Sequence, residues 1–387
     1  MDKNESSIVS AIALNSVFGY EPKYSHCIID ALGSPEAVFA LSPSERADFF
    51  GPYSKLRERV SLASLDKAYE EYRKLSSQGY RFVSISSPDY PEVLRDCPDA
   101  PVLLYIRGGG EIKALLHGRI FISIVGTRDI SLYGKECCER IVHSLSLAEE
   151  KPCIVSGLAL GVDICAHMTA LACGLETIAV SPVGVDDIYP RRHSVAADKI
   201  CSRSGSAIIT DFPPGTAPVA HNFLRRNRII AGMSAATVLV ESKFKGGGAM
   251  TARLASGYGR RVFCVPGRID DIRSAACNAL IAEQIAEAVA SPDSLPSALG
   301  LGRCKVTHAP SLEDRIRTGL AGADEERLQQ AVCLCRHIRD SRGISLDELC
   351  RLSGLGYART SELATRLESA GIISMDLLQN CRIMQAK

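Results

Sequence analysis

Three arginines and one aromatic ring stand close together in the segment NFLRRNRIIAG, residues 222–232. A guanidinium group pairs well with phosphate oxygens, and a flat ring stacks on the face of an unpaired base of any sequence. Phe223, Arg226, Asn227 and Arg228 therefore predict contacts to a single-stranded nucleic acid. In the alternative interpretation, the arginines pair with acidic residues elsewhere in the fold and Phe223 belongs to the core.

The basic residues of this region greatly outnumber the acidic ones. Ten basic and three acidic residues lie between Arg225 and Arg273, a local charge of +7, whereas the whole chain of 387 residues carries +1 and the rest therefore carries −6. A solvated helix face would intersperse acidic residues at i,i+4 spacing, and the segment RRNR has none. The segregation favours an anionic partner. The basic residues are Arg225, Arg226, Arg228, Lys243, Lys245, Arg253, Arg260, Arg261, Arg268 and Arg273.

Three glycine-rich loops follow apolar runs: VGTRD (125–129), SGLALGVD (156–163) and KGGGAMTA (245–252). Unpaired amides at a helix N-terminus favour an anion, and glycine lets a phosphate approach the backbone. Each loop is a predicted phosphate contact, although glycine is also common at strand–helix junctions for structural reasons. No G-x-G-x-x-G follows a strand and no Walker A pattern occurs, which argues against nicotinamide-dependent and ATP-cleaving enzymes. We expect no cofactor.

The elements that must position these loops alternate along the chain. Short apolar runs (RIFISIVG, PCIVSG, ETIAVS, SAIIT, ATVLVES, RRVFCVPG) predict buried strands, and helical patterns lie between them at 131–148, 162–173, 223–232 and 248–257. This alternation is typical of an α/β fold with a doubly wound, mostly parallel sheet. Such sheets place their binding loops at the carboxyl ends of the strands.

The length predicts two or three domains. Residues 1–76 show short helical patterns and predict a small helical domain, and residues 77–295 carry the alternating pattern. Residues 296–323 gather Ser, Pro and Gly and predict a linker. Residues 324–387 predict three amphipathic helices and two strands, a pattern typical of a winged helix.

Composition and patterning narrow the class of protein further. A hydrophobic content of 46% indicates a globular chain, and no apolar span is long enough for a membrane helix, so we expect a cytoplasmic protein without membrane contact. Fifteen scattered cysteines with no C-x-x-C predict buried, reduced thiols. His193, His221 and Cys201 fit no zinc spacing, so no metal is expected.

Seven ordered motifs resemble the DNA-processing protein A family, also called DprA or Smf. They are SIVGTRDISLYG, SGLALGVDICAHMTAL, TIAVSPVGVDDIYP, DFPPGT, NFLRRNRIIAG, VLVESKFKGGGAMTA and GRRVFCVPG, followed by CNALI. The resemblance covers residues 80–290 and, more loosely, the two ends. It implies an extended Rossmann-like domain flanked by a helical N-terminal domain, of SAM or helix-hairpin-helix type, and a C-terminal winged helix. It also implies single-stranded DNA binding without catalysis, a homodimer, and protection of incoming strands with loading of the recombinase RecA during natural transformation.

The resemblance also implies roles for individual residues. Arg128 matches the arginine of the family's Gly-Ser/Thr-Arg motif, which lines its DNA pocket, and Phe223 matches the aromatic residue that contacts a base. Leu160 and Ala220 replace residues that are usually basic, and His221 is a candidate to compensate together with Lys243. The predicted single-stranded DNA contacts are Gly126, Thr127, Arg128, Ser156, Gly157, Phe223, Arg226, Asn227, Arg228, Lys243, Lys245, Gly246, Gly247 and Gly248.

Two other functions remain open. In the first, an N-glycosidase-like enzyme on a related nucleotide-binding fold would use Asp163 and His167, at i,i+4 spacing, as an acid/base pair. No acidic residue lies between Glu241 and Asp270, so we expect instead that Asp163 satisfies amides in the first turn of a helix and that His167 packs in the core.

In the second, the winged helix would bind duplex DNA as a regulator. Its candidate recognition helix, YARTSELATRLESAG, carries Arg359 and Arg366 against Glu362 and Glu368. Groove-reading helices usually carry an excess of positive charge. The balanced helix therefore favours a protein-interaction role.

Overall fold

The computed structural model of the protein describes residues 3–18, 22–51, 53–302, 312–341, 344–376 and 379–384. The chain divides into two compact units, Met1–Lys305 and Val306–Lys387. The predicted linker 296–323 crosses this boundary, and its residues 303–311 lie outside the described residues.

The first unit begins with helices that pack on the sheet. They are α1 (Lys3–Phe18), α2 (Pro22–Leu32), α3 (Ala37–Ala40), α4 (Pro43–Phe50), α5 (Leu56–Arg59) and α6 (Leu62–Ser77). Local signals set their ends: Ser42 and Glu45 form a reciprocal capping box at the start of α4. Apolar residues of α1 share one cluster with Phe82 and Leu103 of the sheet.

The sheet of the first unit has nine strands among the described residues, in the order β1-β2-β6-β5-β4-β3-β7-β8-β9. They are β1 (Arg81–Ser84), β2 (Leu103–Gly108), β3 (Phe121–Val125), β4 (Cys153–Ser156), β5 (Thr177–Val180), β6 (Ala207–Thr210), β7 (Ala236–Leu239), β8 (Arg261–Cys264) and β9 (Glu287–Ala288). The pairs β1–β2 and β2–β6 are antiparallel, and every other neighbouring pair is parallel.

Helices cover both faces of this sheet. In chain order they are α7 (Glu92–Arg95), α8 (Ile112–Leu116), α9 (Leu132–Ser146), α10 (Val162–Ala172), α11 (Ser194–Cys201), α12 (Ala220–Gly232), α13 (Gly247–Gly257), α14 (Ala275–Ala282) and α15 (Leu295–Ala298), with short 3-10 helices at Arg191–His193 and Pro292–Ser294. Helices α9 and α10 pack on one face and α12 and α13 on the other. The central strand β3 is buried along its whole length, because both of its faces are covered.

The direction of winding reverses at β3. The chain passes from β3 through β4 and β5 to β6 on one side, and then returns through α12 to place β7 on the opposite side of β3. The loops after β3 and β7 therefore diverge and leave a crevice between them, which is where open α/β sheets bind ligands. The predicted α/β class with a mostly parallel sheet is confirmed.

The second unit contains α16 (Leu312–Gly319), α17 (Glu325–Asp340), β10 (Ile344–Ser345), α18 (Leu346–Ser353), α19 (Tyr357–Ser369), β11 (Ile373–Met375) and β12 (Asn380–Ile383). Its three strands form an antiparallel sheet in the order β10-β12-β11. Helix α18 ends at Gly354, whose φ of 68° is the left-handed conformation that glycine adopts without strain. Its hydrophobic core includes one leucine from each of α17, α18 and α19, namely Leu334, Leu349 and Leu367.

Two chain-wide features concern the predicted class of protein. No helix in the described part of the chain is long and apolar enough to cross a membrane. The fourteen cysteines in the described residues are free thiols, and half of them are buried; Cys304 lies outside those residues.

Candidate nucleic-acid interface

A cleft of about 670 Å³ opens at the carboxyl edge of the sheet, between the loops that follow β3 and β7. Its lining includes ten of the fourteen predicted contacts: Gly126, Thr127, Arg128, Phe223, Arg226, Asn227, Lys243, Gly246, Gly247 and Gly248. The other four predicted residues, Ser156, Gly157, Arg228 and Lys245, are not part of that lining. Residues distant in sequence thus converge at the switch point of the sheet, as expected for a ligand site.

The side chains of Arg128 and Phe223 meet in this cleft. The guanidinium carbon of Arg128 lies 5.0 Å from the centroid of the Phe223 ring, within the range of a cation–π contact. The ring of Tyr189 meets Phe223 edge-on, with centroids 5.3 Å apart and an interplanar angle of 72°. The Phe223 ring is therefore half-buried in the cleft lining and contacts both Tyr189 and Arg128.

Glu241 holds the loop that carries Arg128. This buried carboxylate accepts hydrogen bonds from the amide of Ser131, at 2.9 Å, and from the Ser131 hydroxyl. The carbonyl of Glu241 also accepts from the amide of Thr127 at 2.7 Å. Because Glu241 follows β7 and the loop follows β3, these bonds tie together the two sides of the switch point.

Glycine allows the loops around the cleft to pack directly on one another. A Cβ at Gly248 would lie 2.8 Å from the Cα of Gly126, and a Cβ at Gly161 would lie 2.2 Å from the carbonyl oxygen of Thr127. Gly161 also has a φ of +76°, which favours glycine. The loops after β3, β4 and β7 therefore form one backbone-lined wall.

Arg226 lines the cleft, but its guanidinium group makes hydrogen bonds within the protein. It is 4% exposed, and its Nη1 donates to the carbonyls of Gly157, at 2.7 Å, and Val180, at 2.5 Å. Burial lowers the pKa of Arg226 to about 10, partly offset by the nearby carboxylate of Asp163. Gly157 fits this arrangement because a Cβ there would lie 2.3 Å from Nη1 of Arg226. Its neighbour Ser156 donates its hydroxyl to the carbonyl of Ile124 at 2.6 Å.

Arg228 lies away from the cleft, which corrects the predicted set of contacts. Its side chain is 7% exposed and forms an ion pair with Asp211, whose side chain is 3% exposed. Nη1 of Arg228 also donates to the carbonyl of Asp99. For Arg228, therefore, the alternative interpretation holds, in which an arginine of this segment pairs with an acidic residue of the fold. Helical periodicity turns Arg228 toward the sheet rather than toward the cleft.

Four other arginines of the basic region form ion pairs nearer the surface. Ion pairs join Arg253 to Glu283, Arg261 to Glu287, Arg268 to Asp270, and Arg273 to Asp129. Among the described residues, no ion pair involves Arg128, Lys243 or Lys245, and all three side chains are exposed. Two of the ten cations counted in the sequence, Lys243 and Lys245, are therefore available to an anionic partner, together with Arg128 from the loop after β3.

The two residues of the candidate acid/base pair are both buried, Asp163 in the lining of the cleft and His167 in the core, and the prediction that His167 is a core residue is confirmed. Asp163 is buried in the first turn of α10 and accepts from the amide of Ala159 at 3.4 Å. His167 is fully buried, with Nδ1 2.7 Å from the Thr177 hydroxyl. That hydroxyl donates to the carbonyl of Ile154, so Nδ1 of His167 is the donor to Thr177.

Burial sets the protonation of both groups. It raises the pKa of Asp163, against the effect of Arg226, and it lowers the pKa of His167 to about 3. No group of three or more His, Cys, Asp or Glu residues in the described ranges is arranged to hold a metal ion.

The sequence did not indicate four further residues that line or support the cleft. Tyr189, Ser242 and Thr251 line it, and Glu241 supports it from the core. The tyrosine stands in the quoted motif TIAVSPVGVDDIYP, but no spacing signalled that it would meet Phe223. Of the two positions where a basic residue is replaced, Ala220 lines the cleft and Leu160 does not. Of the two residues predicted to compensate, Lys243 lines the cleft and His221 does not.

Comparison with known proteins places this architecture in a family. The DNA processing protein DprA of Streptococcus pneumoniae is 36% identical over 211 residues, 54% of this chain and 72% of that protein. The Bacillus subtilis protein of the same name is 34% identical over 223 residues, 56% of this chain and 73% of that protein.

Two solved structures share the fold. The crystal structure of DprA from Streptococcus pneumoniae matches with a TM-score of 0.54 at 31% identity, covering 67% of this chain and 92% of that one. The structure of DNA processing protein A from Helicobacter pylori, described for its single-stranded DNA binding mode, matches with a TM-score of 0.50 at 28% identity, covering 57% and 95%. The family model for DNA recombination-mediator protein A matches residues 81–300, and the chain belongs to that family.

Proposed function

We propose that this protein binds single-stranded DNA in the cleft between the loops after β3 and β7, without sequence preference. The position of Arg128 carries the proposal. Its exposed cation has no ion pair among the described residues, and its guanidinium carbon lies 5.0 Å from the centroid of the Phe223 ring in the same cleft. One group suits a phosphate and the other the face of a base. The description of the Helicobacter pylori relative as a single-stranded DNA binder supports the same role.

The chemistry of the cleft favours a single strand over a duplex. A ring stacks only on a base whose face is free, and in a duplex both faces are covered by neighbouring bases. Glycines at positions 246, 247 and 248 allow the phosphate backbone to come close to the protein backbone. Contacts of this kind address phosphates and ring faces rather than base edges, so all sequences should bind similarly.

The proposal extends to the biological setting that the resemblance implies. In this setting the protein is a homodimer that protects incoming single strands and loads RecA during natural transformation. A helical domain over residues 1–76 and the sheet domain over 77–295 are followed by the linker 296–323 and a winged helix over 324–387. Two clefts in a dimer would raise the affinity for long strands through effective concentration.

The two competing functions have less support. A nucleotide-cleaving enzyme would need an accessible acid/base pair. Asp163 lines the cleft but accepts from the amide of Ala159, and its partner His167 is fully buried. A duplex-binding regulator would need a positive recognition helix. In α19 both arginines, Arg359 and Arg366, form ion pairs with Glu362.

Titration of the wild-type protein with single- and double-stranded oligonucleotides of one sequence tests the binding function. We expect markedly tighter binding of the single strand and similar affinities for unrelated sequences. Equal binding of both forms would contradict the proposal, as would release of a free base during incubation. Strand exchange by RecA in the presence of this protein tests the loading function separately.

A further inference from the structure

A second depression adjoins the cleft on the far side of the loop after β7. We call it the Phe244 groove. It has a volume of about 630 Å³ and is lined by Leu224, Phe244, Lys245, Gly246, Gly247, Ala249, Met250, Arg253 and Leu254. Leu224, Gly246 and Gly247 line the cleft as well. The two depressions therefore meet along one wall.

The wall between them consists of the Leu224 side chain and of backbone at two glycines. Gly246 and Gly247 carry no side chain, and a Cβ at Gly247 would meet no other atom within 4 Å. At Gly246 and Gly247, therefore, no side chain stands between the cleft and the groove. Lys243 lines the cleft and Lys245 lines the groove, so one cation stands on each side of the passage.

The surface of the groove is apolar and unusually exposed. Phe244 is 58% exposed, Leu224 46% and Met250 44%. No acidic residue lines the groove. Of its two cations, Arg253 pairs with Glu283 at 2.9 Å, whereas Lys245 has no ion pair among the described residues. The groove, like the cleft, therefore combines an exposed aromatic ring with a cation that has no ion pair among the described residues.

We propose that the Phe244 groove is a second base-stacking platform, on which the single strand continues after it leaves the cleft. Phe244 stacks on an unpaired base, Leu224 and Met250 contact its edge, and Lys245 pairs with the adjoining phosphate. This inference rests on the proposed function, because its occupant is the same strand. Continuity with the cleft and the absence of carboxylates favour a polyanion over an apolar protein segment.

The test compares Phe244→Ala with the wild type across homothymidine strands of increasing length. Loss of one stacked base should weaken binding of long strands roughly 5- to 150-fold, with the lower end expected for a half-exposed ring. Strands short enough to fill only the cleft should bind both proteins equally. Phe244→Leu should behave like Phe244→Ala, because it keeps apolar area and loses the ring. Lys245→Ala should reduce the salt slope for long strands by about 0.7.

A fluorescence measurement reports the stacking directly. The chain contains no tryptophan, so Phe244→Trp places the one tryptophan of the variant at the platform, and long single strands should quench its emission when tryptophan is excited selectively. Tyr24→Trp is the matched control, because Tyr24 is 60% exposed and lies in α2, away from both depressions. Its emission should not respond to DNA.

The outcomes separate this inference from the proposed function. If Phe244→Ala binds long strands as tightly as the wild type while Arg128→Ala binds them more weakly, the proposal of a stacking platform at Phe244 is wrong and DNA binding in the cleft is supported. If the wild type binds no single-stranded DNA, the proposed function itself fails. If sedimentation shows that Phe244→Ala separates a dimer and leaves the affinity per subunit unchanged, the groove is a contact between copies and the platform is overturned.

Discussion

Arg128 and Phe223 lie on opposite sides of the switch point of the sheet, and their side chains meet, with the guanidinium carbon 5.0 Å from the ring centroid. Arg128 reaches this position from the loop after β3, and Phe223 from the first turn of α12. Buried Glu241 fixes the first of these elements, and the edge of Tyr189 restrains the second. A phosphate and a base of one nucleotide are the ligands that suit such a pair.

The ring of Phe223 should contribute stacking and no charge. We predict that Phe223→Leu weakens single-stranded DNA binding by about 1–3 kcal/mol, the usual value for one stacked base. The salt dependence of binding should stay the same, because no phosphate contact is lost. Phe223→Tyr keeps the ring and should bind nearly as the wild type does. Fluorescence anisotropy at several salt concentrations measures both quantities, and equal losses in the two variants would exclude stacking.

Gly248 should tolerate no side chain, whereas its neighbour should. A Cβ at Gly248 would lie 2.8 Å from the Cα of Gly126, while one at Gly247 would meet nothing. We predict that Gly248→Ala lowers the free energy of unfolding by about 1–3 kcal/mol, as overpacking does. Gly247→Ala should leave it unchanged or raise it by up to about 1 kcal/mol, because alanine favours the helix. Urea unfolding checks both, and similar values for the two variants would contradict the packing of the loops.

Arg228 should matter for stability, since its charge is buried. Arg228→Ala leaves Asp211 charged and unpaired in the core, and breaking such a pair costs about 3–5 kcal/mol. Arg253→Ala is the matched control. Its ion pair with Glu283 is exposed on both sides, and exposed pairs contribute about 0–1 kcal/mol. Comparable losses in the two variants by denaturant unfolding would show that Arg228 is not buried as described.

His167 should make the protein less stable in acid. Its pKa is about 3 in the folded state and about 6.5 in an unfolded chain. The folded state therefore binds fewer protons between these values, so the free energy of unfolding falls as pH is lowered from about 6.5 toward 3.

The variant His167→Asn, which can still donate to Thr177, removes this dependence. Asp163, whose pKa is raised, acts in the opposite direction, so the informative quantity is the difference between wild type and variant. We expect this difference to change by at most about 1.4 kcal/mol per pH unit across the window. A difference that is independent of pH would show that His167 is not held neutral in the core.

Local patterning was sufficient to predict the framework of the fold. The six predicted apolar runs correspond to β3 through β8, and the helices predicted at 162–173 and 248–257 begin within one residue of α10 and α13. The short antiparallel strands β1 and β2 at the sheet edge were not among these runs. Strand β2 joins the sheet by pairing with β6, which lies far away in sequence, and β1 joins it by pairing with β2.

The candidate site was predictable only in part, for a physical reason. Residue type indicated that Arg226 and Arg228 carry charge, but not which carboxylates or carbonyls they face. Asp211 lies 17 residues before Arg228, on another element, and nothing in the local pattern joins them. The same limit applies to Tyr189 and Phe223, which meet only in the folded chain.

The salt dependence of single-stranded DNA binding by Arg128→Ala shows whether Arg128 contacts a phosphate in the cleft. If Arg128 pairs with one phosphate in the cleft, the variant binds more weakly and the slope of log affinity against log salt falls by about 0.7. Arg140→Ala removes an exposed arginine of α9 that does not line the cleft, and it should match the wild type. An unchanged slope and affinity in Arg128→Ala would contradict the account.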